Sequence, residues 1–348
     1  MTFSQTLPPT LRRWTIDHYL QDALDGTELC LETLPMPPLA DGQVLIKTRL
    51  LSIDASNLLW LSERKDYLPP LQIGDAMRGQ IIGRVEASAH PAFAAGEHLM
   101  TLQSWSDYVV ADGEALLDDA LCMKLTPHPQ LPLDAYMGAL GLTGWSAYVG
   151  MITVGRVQPG ETVLVSGAAG ATGMMAAQIA KAAGARVFGL AGGARKCQWL
   201  LDTLGLDGAI DYKASDNLQH ELATAIPDGI ALFFDNVGGE TLDAVLPNMA
   251  IGGRIVASGS VSQYGRTERY GVRNLAFITT RRLRMEGFLI LDYLAEVPTV
   301  LQTLEQWFLE GKLVHQMHPV YGLENAQSAL PLLRSGGNAG KLTVILDD

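Results

Sequence analysis

Three regularly spaced glycines stand between an apolar run and a run of helix-forming residues. In the stretch VLVSGAAGATGMMAAQIAK they are Gly167, Gly170 and Gly173. The first glycine permits a tight turn, the second lets the backbone approach a pyrophosphate, and the third allows a helix to pack closely on a strand. A helix N-terminus facing the phosphates adds a favourable interaction. The spacing is G-x-x-G-x-x-G rather than the commoner G-x-G-x-x-G, and it predicts a dinucleotide-binding turn.

An acidic residue that binds the adenosine ribose of NAD should follow about 20 residues later, at the end of the second strand. Counting from Gly173 leads to Gly193, in the stretch FGLAGGARK, and no Asp or Glu occurs between Ala185 and Lys196. A carboxylate there would repel a 2′-phosphate, whereas Lys196 or Arg195 would attract one. A solvated pair of cations at a helix start is the alternative interpretation. The pattern favours NADPH as the cofactor.

Residues for metal or nucleophilic chemistry form no recognisable set. A catalytic zinc site in a dehydrogenase of this layout needs a cysteine and a histidine, but Cys30, Cys122 and Cys197 are scattered. His315 and His318 stand three positions apart, without a third ligand and with a proline directly after them. No nucleophile elbow for a Ser-His-Asp triad is present. We therefore expect no bound metal, and a hydride transfer in which the protein orients the cofactor.

Alternating strands and helices must position these residues. Strands are predicted at 162–167, 185–191, 208–212, 231–239, 253–260 and 284–290, and helices at 171–184, 196–205, 241–250 and about 293–310. This alternation predicts a parallel sheet with helices on both faces, which is the Rossmann-type doubly wound α/β fold.

The first third of the chain is instead rich in predicted strands. Short apolar runs at 43–53, 80–88 and 106–112 are separated by clusters of Pro, Gly and Asp, and the last forty or so residues return to mixed strand and helix. We therefore predict a Rossmann-type domain inserted in a β-rich domain. The predicted boundaries are 1–135 for the β-rich substrate domain, 136–295 for the NADPH-binding domain, and 296–348 for the return to the substrate domain.

Composition limits the classes of partner. The 348 residues are 48% hydrophobic and 18% charged, and the formal net charge is −12. This balance is typical of a compact globular protein, and the excess of acids argues against nucleic acid or an anionic membrane as a partner. The N-terminal residues lack the charged-then-apolar pattern of a signal peptide. We expect a cytoplasmic enzyme that acts on a small molecule.

Eight segments in order resemble the zinc-free branch of the medium-chain dehydrogenase/reductase superfamily, and in particular its prostaglandin and curcumin reductase group of NADPH-dependent alkene reductases. They are GALGLTGWSAYVG (138–150), VSGAAGATG (165–173), GGARKCQWL (192–200), IDYK (210–213), FDNVGGE (234–240), SGSVSQY (258–264), RRLRMEGF (281–288) and NAGK (338–341). The resemblance implies that the β-rich domain is GroES-like and that the protein is a homodimer, which could pair through the edge strand near 285–290.

The resemblance also implies a set of cofactor contacts, in which Lys196 and Tyr212 bind the 2′-phosphate. The full set is Gly167, Ala169, Gly170, Ala171, Thr172, Gly173, Gly193, Lys196, Tyr212, Asn236, Ser258, Gly259, Ser260, Val261, Ser262, Tyr264, Gly287, Phe288, Leu289 and Asn338. Without the family, FDNVGG reads as a glycine turn after a buried strand and Tyr264 as a loop aromatic.

The reaction implied by the resemblance is reduction of the carbon–carbon double bond of an α,β-unsaturated ketone or aldehyde. Tyr264 is the catalytic candidate, as a hydrogen-bond donor to the carbonyl oxygen, acting with the nicotinamide ribose hydroxyl. An NADPH quinone reductase on the same scaffold, or an NADPH-binding protein without catalysis, are the alternatives.

One segment departs from the family. Where relatives often have S-V-D-P-Y-M-R near the substrate, this chain has SIDASNLLW over 52–60, which keeps Asp54 but replaces the tyrosine by Ser56. Either Asn57 and Trp60 reshape the substrate site, or the substrate differs from that of the relatives. Trp60 or Trp105 could line an aromatic pocket or could belong to the core.

Overall fold

The structure is a computed structural model that describes residues 8–63 and 67–346. The chain forms two compact units. Unit 1 comprises residues 1–137, 318–337 and 342–348, and unit 2 comprises residues 138–317 and 338–341.

Unit 1 is built mainly from strands. Its elements are β1 (Thr10–Ile16), β2 (Leu29–Pro35), β3 (Gln43–Ser52), α1 (Ala55–Trp60), β4 (Arg78–Ser88), β5 (His98–Ser104), β6 (Tyr108–Asp112), α2 (Gly113–Asp118) and β7 (Met123–Leu125). The C-terminal residues add α10 (Leu330–Ser335) and, at the points where the chain passes between the units, β14 (Met317–Tyr321) and β15 (Lys341–Ile345).

Strand β3 is the centre of the main sheet of unit 1. It pairs antiparallel with β4, β6 and β15, and β4 continues the sheet to β5 and β7. Its apolar side chains Val44, Ile46 and Leu51 have no exposed surface. The separate hairpin of β1 and β2 completes the unit. The first third of the chain is therefore β-rich, as predicted.

Unit 2 alternates strands and helices. Its elements are α3 (Leu142–Tyr148), a π-helix (Val149–Val154), β8 (Thr162–Val165), α4 (Ala171–Ala182), β9 (Arg186–Ala191), α5 (Ala194–Asp202), β10 (Gly208–Asp211), α6 (Leu218–Ala225), β11 (Ile230–Asp235), α7 (Gly239–Val245), β12 (Met249–Ala257), α8 (Ala276–Thr280), β13 (Arg284–Gly287) and α9 (Val297–Leu309).

The six strands of unit 2 form one parallel sheet in the order β10-β9-β8-β11-β12-β13. The chain moves outward from β8 to β10, returns to the centre at β11, and then moves outward in the other direction. The order therefore reverses between β8 and β11, and a sheet of this kind binds ligands beyond the carboxyl ends of its strands at that point. The predicted doubly wound fold is confirmed.

Two predicted elements end earlier than expected, for local reasons. Strand β11 ends at Asp235 rather than near 239, because the Asp235 carboxylate accepts hydrogen bonds from Val237 N and Gly238 N and turns the chain. Helix α7 ends at Val245 rather than at 250, and Pro247 follows in a single 3₁₀ turn before β12 begins. Proline has no backbone N–H and cannot continue an α-helix ladder.

The division into compact units also differs from the predicted domain boundaries. The first boundary lies after Met137, close to the predicted 135, but the second lies after Met317 instead of near 295. Helix α9 belongs to unit 2, where it packs against α3. Its apolar side chains Val300 and Leu304 are buried in that unit, and an amphipathic helix does not reveal from sequence which core it joins.

Within the described residues, none of the helices has the length and apolar character needed to span a bilayer.

Candidate functional site

Most of the predicted cofactor residues directly follow the carboxyl ends of the parallel strands of unit 2. Gly167 and Gly170 follow β8, Gly193 follows β9, Tyr212 follows β10, and Asn236 follows β11. The segments 258–262 and 288–289 follow β12 and β13 in the same way. Because the strands are parallel, their carboxyl ends lie at one edge of the sheet, so the structure brings together residues that are far apart in the sequence.

The glycine loop joins β8 to the first turn of α4. A β-carbon at Gly173 would collide with the backbone oxygen of Gly167, so only glycine permits this approach of helix to loop. The N-cap residue of α4 is Gly170, which has no side-chain acceptor for the first N–H groups of the helix. Ala171 and Thr172 lie in that first turn. The arrangement leaves backbone donors for an anion and fits the pyrophosphate of a dinucleotide.

A segment from the end of the chain docks on this loop. Gly340 N donates to Ala169 O at 2.8 Å, and Gly340 forms a parallel bridge with Gly170. Asn338 is 9% exposed, and its side-chain amide donates to Gly340 O. Its backbone oxygen accepts a hydrogen bond from Lys196 Nζ at 2.5 Å. The structure thus places Asn338 beside Lys196, and its predicted contact with the cofactor stays a prediction.

A cationic corner, formed by Gly192, Lys196, Tyr212 and Lys213, lies where β9 and β10 end. A β-carbon at Gly192 would stand 2.9 Å from the Tyr212 hydroxyl oxygen and 2.9 Å from Lys213 Cε. Burial lowers the pKa of the Lys196 ammonium, and the positive charge of Lys213 lowers it further. Sequence reasoning missed Lys213, although its neighbour Tyr212 was predicted. The charges of this corner fit a 2′-phosphate.

The corner also contains a carboxylate that the sequence count did not reveal. Asp211, the last residue of β10, accepts hydrogen bonds through Oδ1 from Gly193 N at 2.8 Å and from Lys213 N at 3.0 Å. These backbone donors, the Gly193 N–H first among them, lower the pKa of the Asp211 carboxyl. The region between Ala185 and Lys196 has no acid in sequence, but the neighbouring strand supplies one in space.

Asn236 is held in one orientation by the end of β8. Its backbone N–H donates to Ser166 Oγ at 2.8 Å, and its Nδ2 donates to Ser166 O at 2.8 Å. Ser166 is fully buried, and its hydroxyl lies 3.0 Å from Asp235 Oδ1. With one Nδ2 hydrogen used in this way, the Asn236 side-chain oxygen can accept a hydrogen bond from a ligand hydroxyl, and the second Nδ2 hydrogen can donate one.

Asp235 is a buried acid at the same place, and sequence reasoning assigned it no role. Its side chain is almost completely enclosed, with 2% of the residue exposed. Burial raises the pKa of the Asp235 carboxyl, while hydrogen bonds from Gly238 N, Val237 N and the Ser166 hydroxyl act in the opposite direction. Its contacts tie β8 to β11 at the point where the strand order reverses.

The loop after β12 is bound to the loop after β11. Ser258 N and Gly259 N both donate to Asp235 O, and Val261 N donates to Asn236 O. Ser262 Oγ donates to Val237 O at 2.6 Å. The loop that carries Tyr264 is therefore held by main-chain hydrogen bonds to the segment that carries Asn236.

The Tyr264 hydroxyl has a defined partner within this loop. Its oxygen accepts a hydrogen bond from Ser260 N at 3.1 Å. Because the oxygen serves here as the acceptor, the hydroxyl proton points to a different partner. The side chain is half-buried. Tyr264 can therefore donate one hydrogen bond to a ligand oxygen.

Residues 287–289 lie at the carboxyl end of β13, the last strand in the sheet order. Gly287 pairs with Ala257 at the ends of β13 and β12, which puts Phe288 and Leu289 beside the start of the 258–262 segment. The Phe288 ring meets Tyr293 edge-on, with the ring centroids 6.2 Å apart. Leu289 is 40% exposed.

The two predicted substrate residues lie in unit 1, and Asn57 has a structural use there. Asn57 has no exposed surface. Its Oδ1 accepts from Asp54 N at 2.6 Å, and its Nδ2 donates to Arg78 O at 3.0 Å. The first of these contacts is half of a capping box at the start of α1. These contacts give no support to a substrate role for Asn57.

Trp60 keeps a polar atom without a partner. Its ring is 8% exposed and packs under the Arg78 guanidinium, whose carbon lies 4.7 Å from the ring centroid. Within the described part of the chain, Trp60 Nε1 is buried without a hydrogen-bond partner. Trp105 is fully buried, which assigns it to the core of unit 1. A substrate role for Trp60 stays a prediction.

Across residues 8–63 and 67–346, no group of three or more His, Cys, Asp or Glu side chains is arranged to hold a metal ion. His315 and His318 fall in different units.

Comparison with known proteins gives the family. Residues 12–118 match a family model described as the N-terminal domain of oxidoreductase, and residues 171–306 match one described as zinc-binding dehydrogenase. An NADPH-dependent curcumin reductase of Escherichia coli (strain K12) is 35% identical over 339 residues, which is 96% of each protein. The chain belongs to the curcumin and prostaglandin reductase group of medium-chain reductases. The resemblance read from the sequence is confirmed.

Two further relatives agree with this assignment. Prostaglandin reductase 1 of Oryctolagus cuniculus is 34% identical over 333 residues, covering 95% of this chain and 92% of that protein. The crystal structure of CurA in complex with NADPH from Vibrio vulnificus matches with a TM-score of 0.90 and 34% identity over 97% of this chain and 99% of that chain. The prediction of NADPH as cofactor is confirmed at the level of the family.

Proposed function

We propose that this reductase uses NADPH to reduce the carbon–carbon double bond of α,β-unsaturated ketones or aldehydes. The cofactor is held by the residues gathered at the carboxyl edge of the unit 2 sheet. The glycine loop and the first turn of α4 bind the pyrophosphate, and the cationic corner binds the 2′-phosphate. Asn236 and the 258–262 segment bind the nicotinamide half, since they follow the strands on the other side of the switch point.

The single observation that carries the proposal is the hydrogen bond from Ser260 N to the Tyr264 hydroxyl oxygen. NADPH, when bound, supplies a hydride to the β-carbon of the enone. Negative charge then develops on the carbonyl oxygen, and a donor fixed before the reaction stabilises that charge. Tyr264 is such a donor, because the backbone holds its oxygen and its proton is directed away from Ser260.

The remaining step is protonation of the α-carbon. Tyr264 stabilises the enolate without giving up its proton, and solvent water is sufficient as the proton source. The buried contacts of Ser166 and Asp235 keep the Asn236 and Tyr264 loops at fixed positions throughout. These residues orient the reacting groups and do not themselves react.

The test is an NADPH-oxidation screen with enones of graded size, alkenals and quinones, in which each product is identified by mass spectrometry. We expect saturated ketones or aldehydes as products. Tyr264→Phe should lower kcat by about 100-fold, as loss of one oxyanion donor does, with little change in NADPH affinity. Tyr270→Phe is the matched control, because it removes a hydroxyl of the following segment that binds Asp243 Oδ2.

Three results would contradict the proposal. Oxidation of NADPH by quinones alone would favour the quinone reductase, and no oxidation by any acceptor would favour a binding protein. Equal losses of kcat in Tyr264→Phe and Tyr270→Phe would mean that the loop, and not the Tyr264 proton, is responsible.

The expected homodimer also belongs to this proposal. Strand β13 is the last strand at one end of the unit 2 sheet. Met285 on this strand is 41% exposed, and Leu289 just beyond it is 40% exposed. An edge strand with apolar side chains invites pairing with another chain, which supports association of two copies through 285–290.

A further inference from the structure

We propose that Lys213 is a second cation for the 2′-phosphate of NADPH, and that Gly192 and Asp211 hold it beside Lys196. The inference deepens the proposed function, since it rests on NADPH as the cofactor. It adds a specificity role for Lys213, to which the IDYK segment by itself assigns none.

The Lys213 side chain lies against the loop after β9. Strand β10 ends at Asp211, and residues 212 and 213 form a turn. Consecutive side chains of a strand point to opposite faces, but in a turn both can face the same loop. Tyr212 and Lys213 do so, because the Tyr212 hydroxyl oxygen and Lys213 Cε both lie against Gly192. Any larger residue at 192 would displace both groups.

Asp211 joins the two segments that form the corner. Its Oδ1 accepts from Gly193 N and from Lys213 N, so one carboxylate connects the loop after β9 to the turn after β10. An acid at this place could instead bind the ribose hydroxyls of NADH. Here Oδ1 is directed at two backbone amides, which assigns Asp211 to holding the corner together.

The two lysines of the corner also interact through their charges. Lys213 lies close enough to Lys196 that its positive charge lowers the pKa of the Lys196 ammonium. The Asp211 carboxylate interacts with the charge of Lys213, and a phosphate that carries more than one negative charge would add an attraction to both lysines. NADH has an uncharged hydroxyl in place of the 2′-phosphate, so it forms no charge-assisted contact with the second lysine. Lys213 should therefore affect discrimination between the two cofactors rather than affinity in general.

The experiment measures equilibrium binding by calorimetry, without any turnover. The ligands are NADP⁺, NAD⁺, adenosine 2′,5′-bisphosphate and adenosine 5′-monophosphate, and the proteins are the wild type, Lys213→Ala, Lys213→Arg and Lys312→Ala. Lys312 is an exposed lysine paired with Glu310, so its removal changes the net charge equally. Lys213 is itself exposed, and its variants should fold.

We expect Lys213→Ala to weaken NADP⁺ and the bisphosphate by about tenfold, as loss of one charge-assisted contact does, and to leave both ligands without a 2′-phosphate within about twofold. Lys213→Arg should retain most of the affinity, and Lys312→Ala should behave as the wild type. The difference between wild type and Lys213→Ala should shrink in high salt, since an exposed contact is screened.

Unchanged binding of the bisphosphate to Lys213→Ala would overturn the inference, and so would an equal loss for NADP⁺ and NAD⁺. A wild-type protein that does not bind the bisphosphate at all would overturn it together with the choice of NADPH. The bisphosphate has no nicotinamide, so these outcomes are independent of whether the protein reduces enones.

Discussion

The cationic corner of unit 2 and the 54–60 segment of unit 1 both carry polar residues predicted to touch a ligand, but they use them in opposite ways. In the corner, Tyr212 is 39% exposed, and its hydroxyl shares the space above Gly192 with Lys213. In the other segment, Asn57 is fully buried and both ends of its amide are bonded within the unit. A polar side chain serves a ligand only where the fold does not already satisfy it.

The largest effect expected from this contrast is on cofactor choice. Lys196→Ala should raise the KM for NADPH by about 10- to 100-fold, because it removes a charge-assisted phosphate contact, and should leave the KM for NADH nearly unchanged. Steady-state kinetics with both cofactors measures this. Lys181→Ala, at the far end of α4, is the control. An equal rise for NADH would mean that Lys196 does not contact the 2′-phosphate.

Asn57→Ala should lower the stability of the protein without changing its choice of cofactor. It should leave the ratio of the two KM values unchanged and lower the free energy of unfolding by about 1–3 kcal/mol, since it removes the part-buried hydrogen bonds of Asn57 to Asp54 N and Arg78 O. Thermal unfolding measures the loss, with Ser56→Ala as the neighbouring control. If Asn57→Ala were fully stable but changed the KM for enones, the contrast between the two regions would be broken.

The smallest effect concerns Asp235, which combines burial with a place in the site. Its folded-state pKa lies above the ordinary value of 3.8, so the folded protein binds more protons than the unfolded chain just above that pH. The contribution of this group to stability therefore falls as the pH rises through that range. Asp235→Asn has no such titration, and its amide oxygen can still accept from Val237 N and Gly238 N.

Melting temperatures of wild type and Asp235→Asn across a pH series test this directly. The wild type should lose a few degrees relative to the variant as the pH rises from acid to neutral. A constant difference between the two curves would show that burial does not raise the pKa of this carboxyl.

Much of the fold was predictable because its signals are local. The order of strands and helices in unit 2 follows from short apolar runs with glycines between them, and helix α4 begins at Ala171 as predicted. The ends of the elements were less predictable, because they depend on single contacts. Helix α5 begins at Ala194 rather than 196, and β13 ends at Gly287 rather than at 290.

Some residues of the site could likewise be predicted from the sequence, and others could not. Lys196 could be found by counting residues from the glycine loop, since both belong to one strand–helix–strand unit. Asp211 and Lys213 could not, because they approach Gly192 and Gly193 only when β10 pairs with β9. The burial of Asn57 against the backbone of β4 is likewise a contact between distant parts of the chain.

The sequence by itself determined that unit 2 is a parallel α/β sheet with a glycine loop, and that no acid follows that loop at the usual distance in the chain. Both are properties of consecutive residues, because periodicity and backbone conformation act over a few positions. The tertiary structure alone decided which groups surround the 2′-phosphate position and which polar residues are already satisfied. Those depend on strand order and burial, which bring together residues that have no relation along the chain.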